Sequence, residues 1–220
     1  MGSVIETIKK YSQRVSKIKR YEEQKKNADR IKNIESRFTM LIYRLSNLSK
    51  IIEYSKTNFG FQPTDQLNTL YLDVISEAKK AVTENGLYED AVTNFDNKFQ
   101  KALSVTKNEW KQHFVSVSNS INGLNSIVQV VEPELVSKTK DDIYALNSFS
   151  EDFKKYECLK NSVDEINKLI NTLELDNEIK NFLIKVGNGT AMLSNVNEKI
   201  LKWVYANGLS NKIRLMFIGK

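Results

Sequence analysis

Histidine and cysteine are scarce in this chain, and the spacing of its carboxylates does not suit acid–base or metal chemistry. There is one histidine, His113, and one cysteine, Cys158. A zinc cluster built from His and Cys needs about four ligands, so one chain with one of each cannot make it. A Cys–His nucleophile pair would need two residues on separate predicted helices to meet. His113 sits between Trp110 and Phe114, where an imidazole serves packing more readily than catalysis. Acidic neighbours occur at Glu22/Glu23, Glu89/Asp90, Asp141/Asp142 and Glu151/Asp152. Adjacent residues on a helix point about 100° apart, so none of these pairs makes a shared carboxylate site by itself. A di-metal bundle site would want Glu-x-x-His, and the residue three before His113 is Trp110.

The phosphate-binding motifs fail in the same way. Gly187-Asn188-Gly189 opens like a dinucleotide fingerprint, but Met192 stands where its third glycine belongs and no strand precedes it. The only Gly-Lys pair is Gly219-Lys220, so there is no Walker A loop. Gly187 and Gly189 read as a helix break. The expectation is a protein that is not an enzyme, with no metal, no cofactor and no small-molecule substrate.

The elements around these residues point to an all-α chain. Eight glycines and two prolines in 220 residues are too few for the frequent turns of an all-β fold. The first helix is predicted from Val4 to Thr57, roughly 80 Å long at the helical rise. Ile8, Tyr11, Val15 and Ile18 form one apolar stripe on it. Ile31, Ile34, Phe38, Leu41, Leu45, Leu48 and Ile52 form a second, out of frame with the first. Gly60 and Pro63 break the pattern. Thr64 or Asp65 opens a second helix, which is predicted to stop at Asn85-Gly86. A third helix holds a stripe from Tyr88 through Trp110 to Val131, with a mean step near 3.5, and Pro133 begins a fourth that runs to Leu173. Short connections between long helices predict antiparallel neighbours. The expected fold is an elongated up-down bundle of long coiled-coil-like helices over residues 1–174.

Residues 175–220 read as a small C-terminal helical cap or docking appendage. Asp176 or Asn177 is suited to cap one short helix, and Ser194 or Asn195 a second that closes at Asn207-Gly208. Residues 212–218 alternate like a short terminal strand, with Ile213, Leu215 and Phe217 on one side. A strand needs a neighbour for its backbone groups. The expectation is that this segment either lies in a groove of the cap or adds an edge strand to a partner.

Charge is placed unevenly. The net formal charge is +6, yet residues 1–56 hold 14 Lys and Arg against 6 Asp and Glu. The rest of the chain is slightly acidic. Lys9, Lys10, Arg14, Lys17 and Arg20 lie away from the Ile8, Tyr11, Val15 and Ile18 stripe on a helical wheel. That arrangement suits phosphate contact while the apolar face pairs with another helix. Membrane contact is disfavoured, and no apolar run approaches a spanning length. The opening residues carry charges where a signal peptide needs an apolar run, so the expected compartment is the cytoplasm.

The function expected from these features is a non-enzymatic helical scaffold or adaptor subunit in a larger complex. Its partners would be other protein subunits or copies of itself, held through Ile8, Tyr11, Val15, Ile18, Ile213, Leu215 and Phe217. The alternative is a nucleic-acid-binding accessory protein acting through the basic first helix. The stripe lengths make a direct prediction. Small-angle scattering should give a radius of gyration well above the ~17 Å of a compact chain of this size; a value near ~17 Å would refute the extended bundle.

Overall fold

A computed structural model describes the backbone of residues 2–83, 86–173 and 175–213, and the side chains of 16–82, 88–173 and 175–213. Within those limits the chain is all-helical. The first helix, α1, runs Gly2–Phe59. It stops where Gly60 adopts φ +70, a left-handed conformation that costs a residue without Cβ little. Thr64 then caps α2 (Asp65–Ala81), its hydroxyl accepting from the Leu67 amide at 3.2 Å.

The predicted end of α2 at Asn85-Gly86 is corrected. The helix ends at Ala81, and Val82–Thr83 pair antiparallel with Gly86–Leu87, Val82 opposite Leu87. Two β-branched residues favour the extended backbone at that point. The bridge turns the chain back into α3 (Glu89–Val128), a helix of 40 residues. After a turn, Pro133 takes the first position of α4 (Pro133–Leu146), where its missing N–H costs nothing.

A second correction concerns the long fourth helix. The predicted span to Leu173 is two helices, α4 and α5 (Phe153–Thr172). The break falls in Asn147-Ser148-Phe149-Ser150-Glu151-Asp152, a polar run whose side chains compete for backbone partners. Asp152 accepts from the Lys154 amide, Ser150 Oγ accepts from the Asp152 amide, and the Tyr156 hydroxyl donates to the Ser150 carbonyl at 3.0 Å. Phe149 alone turns inward. Burial pushes the Tyr156 phenol well above its usual range.

Two short helices follow. Asp176 caps α6 (Asn177–Gly187), as expected, and accepts from the Glu178 and Ile179 amides. The last helix, α7 (Glu198–Ala206), is capped by Asn197, not by Ser194 or Asn195. Those two belong to a 3-10 turn, where Asn195 Oδ1 accepts from the Met192 amide at 2.9 Å. The chain leaves α7 through Gly208 at φ +65. Lys212 and Ile213 then form a turn bonded to the Leu209 carbonyl, so the start of the predicted terminal strand is not extended. Residues 214–218 lie outside the described residues.

Spatially the chain divides into two units. The first comprises Met1–Ser46 and Thr64–Ser104, and the second comprises Asn47–Pro63 and Val105–Lys220. In the first, α1 and α3 run parallel, because partner numbers climb together. Arg30 pairs with Glu89, Arg37 with Asp96 at 2.6 Å, Phe38 meets Phe95, and the Arg44 guanidinium lies 5.0 Å from the Phe99 ring centre. Lys98 of α3 reaches Asp73 of α2 at 3.3 Å. The buried face of this unit is Leu41, Leu67, Val74, Ala78, Val92, Phe95, Phe99 and Ala102. Ile31, placed on the apolar stripe by spacing, is exposed.

The second unit is organised around Trp110. Its ring is wholly buried and its indole N–H donates to the Leu146 carbonyl at 2.9 Å. Phe59, Phe61, Phe114, Phe149 and Tyr156 all lie with ring centres within 6.4 Å of it. Farther along, Val128, Val136 and Ile166 join α3, α4 and α5. A last cluster joins Val131, Phe182, Ile200, Val204 and Leu209, with Trp203 donating to the Leu173 carbonyl. Gly187 is needed there for closeness: a Cβ would sit 2.5 Å from the Ser126 carbonyl oxygen. Trp110→Ala should therefore lower unfolding stability by about 3–5 kcal/mol in chemical denaturation. Trp110→Phe should cost about 1–3 kcal/mol, chiefly the unpaired Leu146 carbonyl. Equal losses for the two variants would show that the ring volume contributes nothing.

Candidate interaction surface on the first helix

What sets α1 apart is the stretch before its first ionic rung. Arg30 meets Glu89 at the very start of α3, so nothing of α3 runs alongside the residues of α1 that precede it. Every residue from Ser16 to Asn33 is exposed. Burial begins at Ile34, Arg37 and Phe38 and becomes complete at Leu41. The reason is legible in the frame. One and two heptads before Leu41 stand Ile34 and Asn27, and one, two and three before Phe38 stand Ile31, Gln24 and Lys17. The seam that packs on α3 thus turns polar as it runs toward the N-terminus.

On this exposed stretch Lys17 and Arg20, two of the five predicted cations, are open to solvent, as is Ile18 at 57%. Ile8, Tyr11, Val15, Lys9, Lys10 and Arg14 lie on the helical backbone of α1, and their side chains fall outside the described residues. Of the predicted C-terminal contact residues, Ile213 is half-buried and packs against the Phe182, Ile200 and Leu209 cluster. Lys212 donates to the Val131 carbonyl at 2.6 Å beside it. Leu215 and Phe217 are outside the described residues.

Arg30, Arg37 and Arg44 lie outside the expected contact residues, yet they recur every seven residues, and Glu89 and Asp96 recur with the same step, a signal present in the sequence. Arg37 also bonds Thr93 Oγ1 at 3.4 Å. Burial by itself would raise the Asp96 carboxyl, but the bonds from Arg37 and Gln100 and the charges of Arg37 and Arg44 outweigh it and hold it below its ordinary range.

Elsewhere the surface offers little chemistry. An open groove of about 550 Å³ lies along Ser49, Lys50, Glu53, Tyr54, Thr57, Asn58 and Phe153. The Tyr54 phenol is raised there by burial and then by Glu157 and Asp164, which leaves it a poor base or nucleophile near neutrality. His113 bonds the Phe59 carbonyl through Nε2 at 2.8 Å and packs on Phe61 and Trp110. Cys158 is exposed on α5. Among the described residues no three His, Cys, Asp or Glu side chains converge as metal ligands, and no helix is long and apolar enough to cross a membrane. Comparison with models of known protein families, with curated proteins and with solved structures finds no match to this chain.

The Asp96 shift gives a signed pH dependence. Because the folded carboxyl sits below its ordinary 3.8, its contribution is full above that value and is lost as pH falls through the depressed folded one. The half-exposed Arg37 limits the effect to no more than about 1 kcal/mol. Asp96→Asn should be less stable than wild type near about pH 7, and the gap should narrow as pH falls below the ordinary carboxylate value. A gap that widens on acidification would contradict this.

Proposed function

We propose that this protein is a non-enzymatic helical scaffold or adaptor subunit whose first helix is an arm for docking another protein. The observation that carries the reading is the exposure of α1 from Ser16 to Asn33, directly before a segment packed on α3. An isolated helix of such polarity is marginal in water without a partner for its apolar residues. The parallel Arg30–Glu89 and Arg37–Asp96 rungs, one heptad apart, support a coiled-coil seam between α1 and α3 within an up-down bundle. Residues 175–220 act in this reading as a small docking cap at the other end of the chain, working in the cytoplasm. The poverty of convergent polar groups in the open groove at Tyr54 favours a binding role over a catalytic one.

The test is association. Full-length protein purified from its native host should carry a stoichiometric protein partner, or form a defined oligomer by light scattering. Ile8→Glu, Val15→Glu and Ile18→Glu combined should abolish that association while circular dichroism remains helical. A wild-type chain that is a bare monomer under both measurements would refute the scaffold reading. Salt-dependent binding of a duplex by such a monomer would favour the nucleic-acid alternative through Lys9, Lys10, Arg14, Lys17 and Arg20.

A further inference from the structure

The charge on the exposed part of α1 is not spread around the helix. Between Ser16 and Asn33 there are seven Lys and Arg against three Asp and Glu. At 100° per residue, Lys17, Arg20, Lys25 and Lys32 fall within one half of the helix, about 180° wide, together with Ile18, Tyr21 and Ile31. Glu22, Glu23 and Asp29 all fall in the other half, where Lys19, Lys26 and Arg30 balance them. The whole excess of four positive charges therefore lies on one acid-free side. That side is centred about 150° around the helix from the one carrying Arg30, Ile34, Arg37 and Leu41, so packing on α3 leaves it open. Its three large apolar residues are exposed at 57%, 69% and 57%.

We infer that this half of α1 is a docking face for an acidic amphipathic helix of another protein. The inference rests on the scaffold reading and adds the chemistry of the partner. Charge complementarity decides among occupants. A second copy of the chain would set four cations against four cations, which is repulsive. Phosphate backbone would satisfy the cations but leave Ile18, Tyr21 and Ile31 without a function. A bilayer needs its apolar residues gathered in a wedge, and here they alternate with cations around the half-turn. A helix with an apolar stripe flanked by Glu or Asp satisfies both sets at once. It buries the three apolar side chains and pairs the cations at the rim, as flanking charges do in a coiled coil.

The experiment uses full-length protein and a labelled synthetic helix of about four heptads, with Ile and Leu at the inward positions and Glu at the flanking ones. Fluorescence anisotropy at low salt should show saturable binding. Lys17→Glu, Arg20→Glu, Lys25→Glu and Lys32→Glu combined should weaken it by about tenfold or more. Ile18→Ser with Ile31→Ser should weaken it separately while leaving the charges intact. A 24-base-pair duplex and phosphatidylserine vesicles are the competing probes. Absence of peptide binding overturns the proposal, and so does an affinity unchanged by charge reversal. Binding of duplex or vesicles in place of the peptide, lost in the charge-reversed variant, overturns it in favour of a polyanion. A stoichiometric partner still recovered from the native host alongside a failed peptide test would leave the scaffold reading standing and remove only this face from it.

Discussion

The buried indole of Trp110 constrains the second unit more than any other group. Its N–H must find an acceptor when the ring leaves water, and the Leu146 carbonyl at the end of α4 supplies one. That bond sets α4 against α3 at the point where α4 ends. Phe149, in the break between α4 and α5, then turns inward onto the same ring, and Tyr156 from the first turn of α5 closes over it. The break is thus built into the core. Phe59 and Phe61, on either side of the Gly60 turn, reach the ring from α1 and the chain that follows it. Five elements of one unit meet on one side chain.

In the first unit the organising force is different. Leu41, Phe95 and Phe99 exclude water between α1 and α3, while Arg37 and Arg44 lie along the margin with their stems packed and their charges paired or stacked. Partly exposed ion pairs of this kind contribute little stability each. Their larger consequence is register. Slipping α3 by one turn would part Arg30 from Glu89 and Arg37 from Asp96 together. The parallel offset of α1 and α3 is therefore chosen by charge and stabilised by apolar burial.

The two observations connect to function through the place where α1 stops being covered. Burial ends where the heptad frame fills with Asn27, Gln24 and Lys17, so the helix beyond it has no reason to pack on its own chain. Helical structure there is inexpensive for residues such as Lys, Arg, Glu and Gln, which have good propensity. A segment that is easily helical, cationic on one side and uncovered is suited to pairing with something else. By contrast the groove at Tyr54 holds a phenol pushed further from neutrality by burial and then by Glu157 and Asp164.

Sequence by itself determined the helical class, the length of α1, a helix cap at Asp176 or Asn177, and the stops at Gly60, at Gly187-Asn188-Gly189 and at Asn207-Gly208. These depend on local backbone preferences and on apolar period, both of which are read within a few residues. It also marked the α3 stripe, since Val92, Phe95, Phe99, Ala102, Trp110 and Phe114 are buried as their spacing implies. Only tertiary structure decided that 147–152 is a break, because Phe149 is drawn out of a continuous helix by Trp110, a residue 39 positions away. The same holds for Ile31, whose spacing fits the stripe but which stands level with the first residues of α3, on the side of α1 turned from it, and is exposed. Periodicity states which side of a helix is apolar; whether that side is buried depends on where a second helix begins.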